Sequence, residues 1–272
     1  MYYILARDTY WQPFADALHE ALTKNQVECK VVSNWRERPN EVYILFCMHE
    51  TNDLPKRFIG YNFEQLNVCV RPSFVQSAKK ALYVWDFSEL NLPFYSSIGV
   101  KARFVPYGFT ETDIKIPSSD LQQQRTTDVM FLGSPSARRD PILQQVKDTF
   151  TSFISCSCYG KNVVVPLTTC RVGINMHYKY IDQRIILEVA RIVPMLANGL
   201  AVVSERGDDK WYTDRLEPVV YYVDKLDDVC STIKQALEQG PKHHDTLAYL
   251  RETFSYAKFV EEVANDLKAL SS

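Results

Sequence analysis

The chain has 272 residues, with 31 Lys and Arg against 33 Asp and Glu, so its formal net charge is −2. Hydrophobic residues make up 46% and aromatic residues 12%, which excludes a disordered or low-complexity chain and supplies a large core. Because no basic excess is available to neutralise phosphates, a protein held to nucleic acid by charge is also disfavoured.

Short apolar strands alternate with helical periodicity in both halves of the chain. In the first half the predicted order is strand 2–6, helix 11–22, strands 27–32, 42–47 and 57–61, helix 73–80, and strands 81–85 and 101–105. A polar stretch at 117–127 predicts a linker. In the second half the order is strand 128–132, a helix opening at Pro141, strands 152–157 and 171–175, helix 183–197, strands 200–204 and 219–223, and helices 226–238 and 255–270.

Two rounds of this alternation predict an α/β protein with two Rossmann-like, doubly wound domains. Ligands of such sheets bind beyond the carboxyl ends of the strands, and with two domains the expected site is the cleft between them. The loops that follow strands therefore hold the candidate residues.

Three features of the sequence indicate where in the cell the protein is located. No apolar stretch approaches the roughly 20 residues needed to span a bilayer, and the N-terminus does not read as a signal peptide. Seven cysteines include no Cys-x-x-Cys pair, which favours free thiols and no metal site. These features predict a cytoplasmic protein.

The first candidate motif is the segment 131–140, which joins a strand end to a helix start. Gly133 followed by Ser134 lets backbone amides approach an anion, and a helix N-terminus favours phosphate. Arg138 or Arg139 could add charge-assisted bonds to a diphosphate. The alternative is a capped turn with solvated arginines, since no lysine-bearing phosphate loop and no Gly-x-Gly-x-x-Gly occurs.

The second candidate is the predicted helix 183–197. Arg184 and Glu188 are four residues apart, so they share a face near its N-terminus. The alternative is a surface ion pair, which contributes little to stability. His177 follows the strand 171–175 and is expected to line the cleft, either as a ligand contact or as a satisfied polar residue.

The span 168–205 resembles the donor-binding region of GT-B glycosyltransferases. Leu187-Glu188-Val189-Ala190 is followed by a tight turn and an apolar strand at 198–204 (Asn-Gly-Leu-Ala-Val-Val-Ser), in that family's order. Segments 61–66 and 84–88 resemble small microbial and large-virus members. The resemblance implies a GT-B fold with an acceptor-binding domain 1–108, a nucleotide-sugar-binding domain 109–254 and a closing helix 255–272 that packs back toward the first domain.

The resemblance implies a function and several contacts. It places Glu188 on the donor ribose, Arg184 on the diphosphate, and Tyr159 and Gly160 near the base. It implies metal-independent transfer of a sugar from a UDP- or GDP-linked donor to a glycan or glycoconjugate, with no further cofactor. A nucleotide-sugar epimerase of the same fold, and a catalytically silent protein that binds a nucleotide sugar or a partner, are the alternatives.

Many retaining members carry a second glutamate eight positions before the helix glutamate, and here that position is Tyr180. This departure favours inverting transfer, which needs a general base to take the proton of the acceptor hydroxyl. Asp8, in the first strand-to-helix loop, and Glu64, in the segment 61–66, are the first candidates. Three other residues that follow strands are weaker candidates: His49, Glu50 and Asp86.

Overall fold

A computed structural model describes residues 1–46, 48, 53–66, 70–115, 125–157, 160–178 and 185–271. Five residues named above lie outside this part of the chain: His49, Glu50, Tyr159, Tyr180 and Arg184. The chain divides into two compact units. The first comprises Met1–Thr112 together with Ser255–Ser272, and the second comprises Asp113–Phe254.

The first unit is built on a six-stranded parallel sheet. Its strands are β1 (Tyr2–Leu5), β2 (Cys29–Val32), β3 (Val42–Leu45), β4 (Arg57–Asn62), β5 (Tyr83–Asp86) and β6 (Ala102–Phe104), in the order β2-β1-β3-β4-β5-β6. The helices between them are α1 (Gln12–Lys24), α2 (Pro72–Lys80) and α3 (Leu92–Ser97). All four residues of β1 are buried, as expected of a parallel strand covered on both faces.

The second unit is built on a five-stranded parallel sheet. Its strands are β7 (Thr127–Leu132), β8 (Phe153–Cys156), β9 (Cys170–Asn175), β10 (Ala201–Glu205) and β11 (Val220–Val223), in the order β11-β10-β9-β7-β8. Its helices are α4 (Asp140–Thr149), α5 (Val164–Thr169), α6 (Val189–Ala197), α7 (Lys210–Leu216), α8 (Val229–Gln239) and α9 (Thr246–Thr253). The predicted α/β class, with two parallel sheets, is confirmed.

The strand order of the second sheet changes direction at β7. The chain runs from β7 to β8 on one side and then returns to β9 on the other, and both pair with β7 in parallel. In doubly wound sheets, ligands bind beyond the carboxyl ends of the strands at such a reversal. The residues that follow β7 and β9 therefore occupy the position where a ligand of this unit is expected.

The end of the chain completes the first unit with α10 (Tyr256–Phe259) and α11 (Glu261–Ser271). The sequence predicts one helix over 255–270, whereas the structure has two that meet at Val260. The first is tied to the chain at Phe109, whose carbonyl accepts from Tyr256 N at 2.9 Å. The second is held elsewhere, since Leu267 O accepts from the hydroxyl of Tyr2 at 2.7 Å. The break is confined to Val260, whose N still donates to Tyr256 O at 3.0 Å and whose O still accepts from Ala264 N at 2.8 Å.

Two further sequence expectations concern the membrane and the thiols. Among the described residues, no helix combines the length and the apolar character that crossing a bilayer requires. Cys29, Cys170 and Cys230 are free thiols. Cys156, at the end of β8, is disulfide-bonded, which departs from the expectation of a wholly reduced chain.

Candidate functional site

The strand β7 ends in a turn at Gly133, where φ is +154°. A Cβ atom on this residue would lie 2.9 Å from Phe131 Cζ, 3.2 Å from Arg139 Nη1 and 3.3 Å from Arg191 Nη1. The turn is also bonded to the neighbouring strand, since Gly133 N donates to Cys156 O at 3.0 Å. Glycine is therefore required here, because the backbone turns directly against two guanidinium groups.

Among the described residues, Arg139 is the largest whose side chain is fully buried, with 1% of its surface exposed. Its Nε donates to Met176 O at 3.1 Å, and its Nη1 donates to Ser134 O at 2.9 Å. Its Nη2 lies 3.3 Å from Glu188 Oε1. Burial lowers the pKa of Arg139 to about 10, so the group stays charged at neutral pH. Arg139 thus joins the loops after β7 and β9 to Glu188.

Arg138 makes a second connection, between the loop after β7 and the ends of β9 and β10. Its Nη1 donates to His177 O at 3.0 Å and to Glu205 Oε2 at 2.9 Å, and its Nη2 also pairs with Glu205. The two side chains are 14% and 5% exposed. The alternative of solvated arginines is therefore wrong: both guanidinium groups of the segment 131–140 have partners within the protein.

His177 lies beyond the end of β9, as predicted, and its side chain is fully buried. Its backbone N donates to Glu205 Oε2 at 3.0 Å. Within the described part of the chain, neither ring nitrogen has a hydrogen-bond partner. Burial lowers the pKa of the imidazole below its usual value, so the ring is neutral at pH 7 and offers one donor and one acceptor.

Glu188 is not on a helix face, so the predicted helix 183–197 is wrong at its start. The helix α6 begins at Val189, and residues 185–188 run into it without helical structure. Asp208 holds this segment at Ile185: Asp208 N donates to Ile185 O at 2.7 Å, and Ile185 N donates to Asp208 Oδ2 at 2.6 Å. Glu188 therefore precedes the helix on which the sequence predicts it, and Arg184 lies outside the described residues.

The carboxylate of Glu188 lies between two arginines. One is the buried Arg139, and the other is Arg191 in the first turn of α6, which forms an ion pair with Glu188. The exposed fractions of the Glu188 and Arg191 side chains are 14% and 25%, so both reach the surface of the unit. Two residues of this cluster, Arg191 and Glu205, are not among those predicted from the sequence. The three-residue spacing from Glu188 could have indicated the first, and the position of an acid directly after a buried strand could have indicated the second.

The cluster around Gly133 is rich in guanidinium groups. Those of Arg138, Arg139 and Arg191 lie here with the carboxylates of Glu188 and Glu205, and Asp140 adds a third carboxylate in the first turn of α4. The helices α4 and α6, of 10 and 9 residues, begin beside it, and a helix N-terminus adds a partial positive charge. This arrangement, at the reversal of strand order, favours an anion such as a diphosphate. Gly160 begins a short 3-10 turn after β8.

The two candidate bases of the first unit have different surroundings. Asp8 Oδ1 accepts from Tyr10 N at 2.8 Å and from Trp11 N at 3.2 Å, so this carboxylate caps the turn that leads into α1. Glu64 is half-buried in the loop after β4, and its backbone is held by the amide of Asn62. Asp8 therefore stabilises the turn that precedes α1.

Asp86, a weaker candidate, is fully buried at the end of β5. Its carboxylate accepts four hydrogen bonds, from Asn62 Nδ2, Tyr95 OH, Asn91 Nδ2 and Ser88 N. Burial raises the pKa of this carboxyl to about 7, although the four donors act in the opposite direction. Asp86 therefore faces protein donors, and a direct contact with a substrate hydroxyl is not its expected task.

We expect Asp86 to make the protein less stable as the pH rises from about 4 to about 7. In this window the folded chain holds a proton that the unfolded chain, with a carboxyl pKa of 3.8, has lost. The slope is up to about 1.4 kcal/mol per pH unit, and the loss is complete once the folded pKa is passed. Urea unfolding of the wild type and of Asp86→Asn between pH 4 and 8 measures it. A difference in the free energy of unfolding that stays constant with pH would contradict this expectation.

Comparison with protein-family models and with curated proteins finds no match. Comparison with solved structures finds similar folds along nearly the whole chain. AviGT4, a glycosyltransferase involved in avilamycin A biosynthesis, is 11% identical with a TM-score of 0.63, over 99% of this chain and 98% of AviGT4. Alr3699/HepE of Anabaena, in complex with UDP and glucose, is 9% identical with a TM-score of 0.64, over 98% of this chain and 99% of that one.

Sucrose-phosphate synthase from Thermosynechococcus elongatus is similar in the same way, with 10% identity and a TM-score of 0.58 over 99% of this chain and 98% of the synthase. Such low identities show a shared fold and leave the function to be argued from the site. The strand order, the two parallel sheets and the full-length alignments lead to one conclusion: the chain has the GT-B glycosyltransferase fold.

Proposed function

We propose that this protein is a glycosyltransferase that moves a sugar from a nucleoside-diphosphate sugar to a hydroxyl group of a glycan or glycoconjugate. The observation that carries the proposal is the arginine cluster around Gly133, where three arginines and two helix N-termini meet at the reversal of strand order. The similar structure of Alr3699/HepE, in complex with UDP and glucose, supports a nucleotide ligand.

In this proposal the second unit binds the donor. Arg191, which is partly exposed, contacts the diphosphate, and Glu188 binds the ribose hydroxyls. A contact between His177 and the donor is proposed as well, and it requires that donor binding exposes the buried imidazole. Arg138 and Arg139 hold the loops behind these groups and add positive charge. Three further contacts stay proposals from the family resemblance: Arg184 at the diphosphate, and Tyr159 and Gly160 at the base. Ser134, in the segment 131–140, is proposed at the diphosphate as well.

The first unit supplies the acceptor site and the base in this proposal. Glu64 takes the proton from the acceptor hydroxyl, and the acceptor oxygen then forms a bond to the anomeric carbon. The bond between that carbon and the diphosphate oxygen breaks, and the nucleoside diphosphate leaves with the electron pair. The guanidinium group of Arg191 and the helix N-termini stabilise the charge that develops on the leaving group. The product has inverted anomeric configuration.

The test uses UDP, GDP and dTDP and the corresponding sugar donors. Calorimetry with each nucleotide identifies the one that binds, and the matching donor is then incubated with the protein, with and without acceptor mixtures. Release of free nucleoside diphosphate together with a glycosylated product supports the proposal. Binding without any turnover would favour a catalytically silent binding protein, and a changed sugar still attached to its nucleotide would indicate an epimerase.

We expect transfer to continue in excess EDTA. Arg191, the charges behind it and the helix N-termini supply positive charge to the departing diphosphate, which is the task that a divalent cation performs in metal-dependent transferases. Rates measured with and without EDTA, and after manganese is added back, check this. Complete loss of activity in EDTA that manganese restores would contradict the metal-independent mechanism.

A further inference from the structure

Asp86 and Glu64 belong to one hydrogen-bonded network at the carboxyl ends of β4 and β5. Asn62, the last residue of β4, donates through Nδ2 to Asp86 Oδ2 at 2.8 Å and to Glu64 O at 2.8 Å. Its Oδ1 accepts from Glu64 N at 3.1 Å. The side-chain amide of Asn62 therefore forms hydrogen bonds with both backbone polar groups of Glu64 and with the carboxylate of Asp86.

A second amide makes a parallel bridge. Asn91 Nδ2 donates to Asp86 Oδ1 at 2.9 Å and to Glu64 O at 3.1 Å, and Asn91 Oδ1 accepts from Leu66 N at 3.2 Å. Asn62 and Asn91 are 1% and 2% exposed, so water does not replace these bonds. Two buried amides thus hold three backbone atoms of the segment 64–66, and one carboxylate anchors both amides.

The hydrogen-bonding properties of the Asp86 carboxylate determine the orientation of the side-chain amides of Asn62 and Asn91. An ionised carboxylate has acceptors only, so the nitrogen end of each amide must face Asp86. The oxygen ends are then left for Glu64 N and Leu66 N. We infer that Asp86 is a positioning residue, which fixes the orientation of Asn62 and Asn91 and, through them, the place of the base Glu64. The inference rests on the proposed function in one respect, namely that Glu64 is the base.

The variant Asp86→Asn tests this directly because it keeps the shape and replaces the carboxylate, which only accepts hydrogen bonds, with a neutral amide that also donates them. Its new NH2 group would face the NH2 group of Asn62 or that of Asn91, whichever way the side chain lies. Turning Asn62 round removes the conflict of donors, but it also breaks both bonds from Asn62 to Glu64. Tyr95→Phe is the matched control: it removes a 2.8 Å bond to the same Asp86 oxygen, and Tyr95 makes no hydrogen bond to the segment 64–66.

The experiment follows amide hydrogen exchange and kinetics in the full chain at pH 8, where Asp86 is ionised. In Asp86→Asn we expect the Glu64 and Leu66 amides to exchange at least about ten-fold faster than in the wild type. We expect kcat to fall about ten-fold or more, with the nucleotide Kd unchanged. In the double variant with Glu64→Gln, kcat should equal that of Glu64→Gln alone, because both changes remove the same contribution. Tyr95→Phe should leave exchange and kcat near the wild-type values.

Amides that stay protected in Asp86→Asn, or losses of kcat that multiply in the double variant, would overturn the inference. If Glu64→Gln itself leaves kcat unchanged, the proposed base is wrong, and amide exchange then decides alone whether Asp86 fixes the loop. Should Asp86→Asn fail to fold, Asn91→Ala replaces it, since it spares the bond between Asp86 and Asn62. Leu66 should then lose protection while Glu64 keeps it, and loss at both positions would mean that Asp86 is not the anchor.

Discussion

We expect Glu64→Gln to lower kcat for sugar transfer by about 100- to 10,000-fold, the range that general-base catalysis supplies. The change keeps the length and shape of the side chain and removes its basicity. The backbone of residue 64 stays in place, because it is held by the amides of Asn62 and Asn91. Steady-state kinetics should therefore show a loss in kcat, and calorimetry should show an unchanged Kd for the nucleotide.

Asp8→Asn is the matched comparison for Glu64→Gln. An asparagine can still accept the bonds from Tyr10 N and Trp11 N that the capping oxygen of Asp8 now accepts, so the start of α1 should be preserved. We expect little change in kcat. A large loss in Asp8→Asn alone would transfer the role of base to Asp8, and near-full kcat in both variants would contradict both assignments. A product with retained anomeric configuration by NMR would contradict inversion itself.

The second large effect is expected at Arg139, in stability. Arg139→Met removes a fully buried guanidinium that bonds Met176 O, Ser134 O and Glu188. Glu188 keeps its ion pair with Arg191, but Met176 O and Ser134 O lose their donor, and each buried group left without a partner costs about 1–3 kcal/mol. Urea unfolding followed by circular dichroism should show this loss in the free energy of unfolding.

Arg191→Met separates stability from binding at the same cluster. The Arg191 side chain is 25% exposed and pairs with Glu188 one helical turn away, so its loss should cost about 1 kcal/mol of stability or less. Loss of a charge-assisted bond to the diphosphate should weaken nucleotide binding by about 1.5–3 kcal/mol, roughly ten- to a hundred-fold in Kd. Equal destabilisation by both variants, or an unchanged Kd in Arg191→Met, would contradict this division of tasks.

The sequence predicts the fold well because buried parallel strands have short, continuous apolar sequences. Each strand of both sheets overlaps a predicted one. Short helices are not predicted in the same way, because their apolar pattern is too brief. The six residues of α5 include Pro166, and the apolar residues of α7 extend over about one turn. The start of α6 could not be found locally either, because it depends on the contact of Ile185 with Asp208, a residue 23 positions later.

The site is predictable in its position and less so in its contacts. Gly133, Arg138, Arg139, His177 and Glu188 were each singled out by their place after a strand or near a helix start, and the structure brings them into one cluster. However, a sequence shows which residues are charged but not which residues they pair with. The sequence suggests that Arg138 binds a diphosphate, whereas in the structure Arg138 binds the carboxylate of Glu205, 67 positions away. The roles of these residues toward a ligand remain predictions.

The return of the chain to the first unit has a consequence for folding during synthesis. The helices α10 and α11 bring Tyr256, Val260, Val263 and Leu267, all buried, into the core of that unit. A ribosome adds about 5–20 residues per second, so the first unit waits on the order of ten seconds while the second is made. During that interval the core of the first unit lacks these side chains, whereas the second unit is continuous in sequence and can complete its core as it emerges. We therefore expect the second unit to fold first, although most of the first unit is synthesised before it.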